Sequence, residues 1–487
     1  MRDDPGVPSW ERLSALDAAF LDLETPRAPL HVGWTLRLDG PAPSLAALRR
    51  HVDARLDLVP RFRRRVVRGA LGLADPYWAD DASFDIARHV QRVRLAPPAG
   101  AAELRELAGA LLSSPLDPLR PMWRLVVIDG LAGGGFALVD QAHHALVDGI
   151  AAVEVATLLF DGVDDGRSAR AVPWAPQPAP SPVTAAGAAA RLRVAGVVGG
   201  ARAAARALAH TGPGALRAGA GTVRGVRDAL EALSSPVPVT RLDRTAGRER
   251  LVAFGGTSFD GVREAARHHG ATVNDALLAA STLALGRALR RRGESPASVK
   301  ALVPVNVRGE EGAGLGNRIS FMTADLPVGE LDPISVLRRV RDETRARKAG
   351  GHAAPLDALA RAADLLPQAA RSVIARAAVR TASFNAIVSN VPGPPVTLTL
   401  LGRPLTAIHP AVPFPEGHAL AIGGLSYRGR LQLGLYADAA VVPDVVDLAR
   451  DIEQAFDALR VVSPPPPPPW RSRARARRDR QRAAASR

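Results

Sequence analysis

The sequence predicts an α/β protein with mixed sheets, built from two similar halves, and three observations predict it. Strand-like and helix-like runs alternate from residue 1 to about 162, and the same mixed pattern returns from 252 to 462. Between them, residues 163–251 turn rich in Ala, Pro, Gly and Arg, which reads as a proline-broken linker followed by a helical crossover. The chain has 487 residues, 47% of them hydrophobic, enough for two or three domains with sizeable cores. Two halves that face each other leave a tunnel between them, and ligand sites favour such interfaces.

In the first half the most informative stretch runs from Gln141 to Gly149. Phe136-Ala-Leu-Val139 follows a Gly133-Gly134-Gly135 turn as a short apolar run, which predicts a buried strand whose end delivers His143 and His144 to a cavity. Asp148 and Gly149 then open a helix at Ile150. A neutral imidazole suits removal of a hydroxyl proton during acyl transfer, because its ordinary pKa lies near neutrality. His144 is the expected base. His143 is expected to hold the loop or bond the backbone, and Asp148 to orient the loop through an arginine, with Arg61, Arg63 and Arg308 as candidates. A direct bond from Asp148 to the imidazole is also open at a spacing of four residues. Pro121 and Trp123 precede the strand-like run Arg124–Ile128 and are expected to pack around the site.

The second half offers a comparison pair, His268-His269, which ends a helix-like run before Gly270 and reads as a helix C-terminal cap. Asn274 and Asp275 precede the apolar run from Ala276 and are expected either to cap that helix or to line a site. Asn390, before Val391-Pro392-Gly393-Pro394, likewise either shapes a turn or meets substrate.

Residues 463–487 close the chain with six prolines, Trp470 and an arginine-rich end, where 471–487 hold eight arginines and one aspartate, so +7 of the net charge of +15 sits there. Such a segment is expected to be disordered and attracted to an anionic membrane or lipid-droplet surface. Arginines spread through 191–227 fit a solvated helix better than a membrane-surface one, since Trp and Phe anchors are absent there.

Composition also excludes. The absence of cysteine removes a thiol nucleophile and any cysteine metal site, and no Gly-x-Ser-x-Gly elbow occurs. No metal or resident cofactor is expected. The opening residues have no apolar signal core, and no uninterrupted apolar span of about 20 residues occurs, so a cytoplasmic protein with at most peripheral contact to the inner membrane face or lipid inclusions is expected. A basic protein invites a nucleic-acid or anionic-lipid binding reading, yet nearly half the excess charge is confined to the tail and no specific nucleic-acid motif is present.

The pattern of two histidines, three spacers and Asp-Gly resembles the signature of the CoA-dependent acyltransferase superfamily, which includes condensation enzymes. Further blocks resemble the bacterial wax ester synthase/diacylglycerol acyltransferase family in order: Leu16-Asp17 to Phe20-Leu21, Glu24-Thr25-Pro26, His31-Val32-Gly33, Val59 to Arg63, Pro76-Tyr77-Trp78 and Phe84-Asp85-Ile86. Arg120-Pro121-Met122-Trp123 is similar to the family's Pro-Leu-Trp block with methionine for leucine, a volume-conserving swap. Asn274-Asp275, Pro304 to Arg308, Gly316-Asn317 and Asn390-Val391-Pro392 continue the resemblance to about residue 460. It implies two chloramphenicol-acetyltransferase-like halves. It further implies transfer of a long-chain acyl group from acyl-CoA, a co-substrate, to diacylglycerol or a long-chain alcohol. His144 is then the base, His143, Asp148 and Gly149 complete the site, and no acyl-enzyme forms. Asn274, Asp275 and Asn390 would lie near the tunnel. The rival within enzymes is a condensation-type activity on a carrier-protein thioester or a polyketide alcohol.

Overall fold

A computed structural model describes residues 10–69, 75–147, 160–161, 174–181, 237–244, 247–306, 319–349, 368–381 and 383–461, with Leu366 and scattered positions of 183–202. Asp148, Gly149, Arg308, Gly316, Asn317, most of the crossover and the tail fall outside these residues.

Two six-stranded mixed sheets dominate the described residues. The first has the order β12 (Thr399–Leu400), β13 (Arg403–Ala411), β2 (His31–Leu38), β7 (Phe136–His143), β6 (Trp123–Leu131) and β5 (Val90–Ala99). The second has the order β10 (Ile319–Leu326), β9 (Val299–Asn306), β11 (Ala386–Val391), β14 (Leu420–Tyr427), β15 (Arg430–Asp438) and β8 (Arg250–Ser258). A small antiparallel sheet joins β1 (Trp10–Arg12), β4 (Tyr77–Asp80) and β3 (Arg64–Val67). In the first sheet only the β5–β6 pair is parallel, and in the second β11 runs parallel to both β9 and β14. The predicted α/β class with mixed sheets is therefore what the chain forms.

The sheets are not confined to the two halves expected from the sequence. After β11 the chain passes through Asn390-Val391-Pro392-Gly393-Pro394 and adds β12 and β13 to the first sheet, with β13 antiparallel to β2. Proline supplies no ladder donor, so the motif suits a chain that is leaving one sheet. The crossing strand passes close to the second sheet where Gly423 and Gly434 oppose each other across β14 and β15. A Cβ on either glycine would collide with Pro410, so the missing side chains make the dent in which Pro410 sits.

Three large cores follow from this arrangement. One packs the helices Val273–Arg291 and Val445–Val461 on the second sheet. Another covers one face of the first sheet with the helices Ala15–Leu23 and Leu45–Asp53. The third joins both sheets: Val126, Ala137 and Val139 pack with Ile387, Ala421 and Tyr436, alongside Leu104, Ala108 and Leu112 of the helix Ala101–Ser113. The same junction holds a fully buried ion pair, Arg250 to Asp438 at 3.3 Å, and Arg250 also donates to the carbonyl of Arg27.

Candidate acyl-transfer site

β7 is longer than its apolar run suggests: it continues through polar residues to His143, because it is paired on both sides, with β2 and with β6. Pairing extends one residue further. The His143 amide donates to the Met122 carbonyl at 2.9 Å, and the His144 amide donates to the Leu30 carbonyl at 2.9 Å. The backbone of both histidines is thus pinned between Pro121-Met122-Trp123 on one side and the start of β2 on the other. The turn that follows is closed by the Leu146 amide donating to the His143 carbonyl at 2.8 Å.

His143 is wholly buried, with Nδ1 bonded to the backbone and Nε2 facing a carboxylate. Nδ1 accepts from the Ala145 amide at 3.0 Å, which leaves the proton on Nε2, 3.5 Å from Glu24 Oε2. Glu24 Oε1 in turn accepts from the Leu30 amide at 3.1 Å. Burial pushes the Glu24 carboxyl up, but the His143 hydrogen bond and charge and the Leu30 amide outweigh it and hold the pKa below the ordinary value. A carboxylate that binds the loop histidine on one oxygen and the strand start on the other ties together the two segments that carry His144.

His144 lies on the other face of the strand, since side chains alternate. It is buried, and its ring stacks on Phe20 with centroids 4.0 Å apart and planes 8° from parallel. Phe20 comes from the helix Ala15–Leu23, whose N-terminus is capped by Ser14, which accepts from the Asp17 amide at 3.0 Å.

Trp123, which opens the neighbouring strand β6, is buried. Its Nε1 donates to the Phe62 carbonyl at 2.7 Å, and its ring stacks on His89 at 4.6 Å. Desolvation, only partly offset by the bond from Nδ1 to the Trp123 carbonyl, lowers the His89 pKa. Pro121 is buried beside it. Asp148 lies outside the described residues; of the arginines that are candidates for its partner, Arg61 bonds Glu11, with Nε at 3.1 Å, and Arg63 bonds Asp57 and, at 3.0 Å, Asp53.

The second sheet places the remaining candidates. Asn274 and Asp275 are not N-caps: Thr272 caps the helix, and Asp275 is its third residue, completing a capping box with the Thr272 amide at 2.8 Å. The other Asp275 oxygen accepts from Thr344 at 2.7 Å, so this buried carboxylate is occupied by structure. Asn274, one position earlier, is half-buried. Asn390 is half-buried on β11 opposite Gly424, beside Leu277 of the same helix. His268-His269 does end a helix, with His269 as its C-cap.

Sequence reasoning assigned no role to Glu24, Phe20 or His31. Each sits in a block quoted for its resemblance, but their contacts cross between segments that a linear pattern does not connect. His31 faces His143 across the β2–β7 pair, and burial drives its pKa down to about 3, so it is neutral. Its Nε2 lies 2.9 Å from the Leu112 carbonyl, which also accepts from the Tyr436 hydroxyl of the second sheet at 2.9 Å. Among the described residues no group of three or more potential ligands could hold a metal ion. Among them, too, no helix is long and apolar enough to cross a membrane.

Two imidazoles at a strand end, one facing Glu24 and one stacked on Phe20, form a histidine site in a fold of two joined mixed sheets. Comparison with known proteins shows the family. Residues 13–277 match the wax ester synthase/diacylglycerol acyltransferase catalytic domain, and residues 315–460 match the C-terminal domain of the same family. A Mycobacterium tuberculosis protein named as a probable diacylglycerol O-acyltransferase is 31% identical over 458 residues, covering 93% of this chain and 96% of that relative. The wax ester synthase/diacylglycerol acyltransferase of Marinobacter aquaeolei VT8 shares the fold with a TM-score of 0.65 at 23% identity, over 93% of this chain and 99% of that one. The first condensation domain of the CDA synthetase shares it at 0.58 and 17% identity, over 94% and 98%. The chain belongs to the wax ester synthase/diacylglycerol acyltransferase family and is an acyltransferase.

Proposed function

We propose that the protein moves a long-chain acyl group from acyl-CoA to diacylglycerol or a long-chain alcohol, with His144 as general base. The observation that carries this reading is the fixed placement of His144, whose backbone is pinned to Leu30 and whose ring is stacked on Phe20. A base held in one direction needs no reorganisation as the proton moves. The acceptor hydroxyl passes its proton to the His144 imidazole while its oxygen bonds to the thioester carbonyl carbon. The carbon–sulfur bond then breaks, and the departing thiolate takes the proton from the imidazolium. No acyl-enzyme forms in this scheme, and no cysteine is available to form one. His143 and Glu24 position the loop, and Asp148 and Gly149 complete it. Asn274 and Asn390 lie near the tunnel between the sheets, whereas Asp275, Pro121 and Trp123 maintain its walls. The arginine-rich end of the chain holds the enzyme at an anionic lipid surface, where an oily product partitions.

Release of CoA from palmitoyl-CoA tests this, with diacylglycerol or hexadecanol as acceptor and His144→Ala as control. Acceptor-dependent release that falls roughly 100- to 10,000-fold in the variant is expected, the usual contribution of a general base. Wild type that releases CoA with neither acceptor refutes the function, and a folded variant that keeps its activity refutes the base.

A further inference from the structure

The helix Ala15–Leu23 supplies the ring that faces His144, and it is only nine residues long. A helix this short has little stability of its own, so its direction is set by what it packs against. On one side Phe20 stacks on His144. Successive helical residues turn by about 100°, so Asp22, two positions on, points to nearly the opposite side. There the helix Gln368–Thr381 packs against it. That second helix lies in the chain between β10 and β11, among the elements that build the second sheet. An element of the second half therefore stands behind the helix that carries Phe20.

The contact between the two helices is polar and directional. The Asp22 side chain is 6% exposed, and one of its oxygens accepts from the Ser372 hydroxyl at 2.6 Å and from Gln368 Nε2 at 2.8 Å. The other oxygen lies 3.4 Å from the exposed Arg68. Arg371 donates to Gln368 Oε1 at 3.0 Å, which turns the Gln368 amide nitrogen toward Asp22. Arg371 is itself paired with the buried Asp75, which also binds Arg12 of β1 at 3.0 Å. Arg376 adds a bond to the Asp22 carbonyl at 3.3 Å. Hydrogen bonds to an ionised acceptor are the strong ones, and their value falls steeply when the direction is lost. The helix Ala15–Leu23 is thus gripped at Asp22, on the side away from the ring that meets His144.

We infer that Asp22 is a positioning residue for the acyl transfer. Together with Gln368 and Ser372 it fixes the helix that presses Phe20 on His144, so the second half of the chain sets the direction of a base that stands at the end of β7. The inference rests on His144 being the base, as proposed above.

The test is a double-mutant cycle in kcat, measured as acceptor-dependent CoA release per folded molecule. Asp22→Ala is expected to lower kcat about 10- to 100-fold, the cost of a misplacement of about 1 Å, with KM for palmitoyl-CoA within about threefold of wild type. Asp22→Asn can still turn a carbonyl to Gln368 and Ser372, and should keep kcat within about fivefold of wild type. Phe20→Leu removes the stack, and because Asp22 acts through that ring, adding Asp22→Ala to it should cost less than about threefold more. Effects of Asp22→Ala and Phe20→Leu that multiply overturn the inference and leave the acyl-transfer reading intact. So does an Asp22→Ala enzyme that loses thermal stability but keeps the wild-type kcat per folded molecule. Should Asp22→Ala not fold, Ser372→Ala takes its place, with a fall in kcat of about 3- to 10-fold expected and an unchanged kcat overturning the inference. A folded His144→Ala enzyme with wild-type kcat overturns the base reading, and the inference with it.

Discussion

Replacing Glu24 by alanine removes a carboxylate that joins the His143–His144 loop to the start of β2. The consequence is expected in turnover before it is expected in binding. Two donors lose their acceptor: Nε2–H of His143, whose side chain is 1% exposed, and the Leu30 amide. Each buried orphan costs about 1–3 kcal/mol, but the Glu24 side chain is 22% exposed, so water can enter and relieve part of the loss. A net penalty of about 2–3 kcal/mol in holding the loop is reasonable, equivalent to roughly a 30- to 150-fold fall in kcat at 1.36 kcal/mol per decade. Glu24→Gln should fall between, because its carbonyl still serves one donor while its amide opposes the other. The assay is CoA release followed with a thiol-reactive dye, to which a chain without cysteine contributes no background. The Glu24 carboxylate also carries a pH signature. A carboxyl whose folded pKa is depressed stabilises the protein above its ordinary value of 4.5 and loses that contribution as the pH falls through the folded pKa. Wild type should therefore lose stability below about pH 4.5 more steeply than Glu24→Gln. A folded Glu24→Ala enzyme with kcat within threefold of wild type refutes the clamp.

Three further outcomes are expected. Gly434→Ala places a Cβ against the Pro410 backbone, which has no side chain to swing away, and should lower stability by about 3 kcal/mol in a denaturant titration. Asp438→Ala strands the buried Arg250 guanidinium at the sheet junction; because Arg250 keeps carbonyl partners, the loss should be about 3 kcal/mol, the low end for breaking such a pair. Asp140→Asn should stabilise the protein in alkaline but not in acidic solution. The folded carboxyl titrates at about 7 against 3.8 unfolded, so wild-type stability is full below pH 3.8 and drains away as the pH rises through 7. The difference in thermal midpoint between variant and wild type should open between about pH 4 and 7 and level off above that, corresponding to at most on the order of 4 kcal/mol.

Local patterns were legible where the physics is local. The β7 strand, the tight turn at Gly133-Gly134, the strand opening at Trp123 and the helix end at His268-His269 all follow from runs of a few residues, and the structure has them. The helix after Asn274-Asp275 was legible too, but not its start. Thr272, Asn274 and Asp275 are all good capping types, and only the reciprocal bonds of Asp275 with Thr272 show which one occupies the cap. The Glu24–His143 clamp spans segments more than a hundred residues apart, and no periodicity connects them. The strand exchange was hidden for a related reason. β13 has no clean alternation and shifts register between Leu405 and Ala407, and the room its path needs comes from Gly423 and Gly434, whose purpose is visible only when Pro410 lies on them.

That exchange also sets a clock on the birth of the enzyme. β2 carries the backbone that pins His144, and its outer edge stays open until β13 arrives, more than 360 residues later in the chain. At the usual pace of synthesis, that interval is roughly 20 to 75 s, during which an unpaired edge flanked by apolar residues is exposed to other nascent chains. A fragment ending before Arg403 would carry both histidines and every contact described around them, and still present an unfinished sheet. The site is therefore spelled early and finished late, and the cell must shield the first part of this protein until it has nearly all of it.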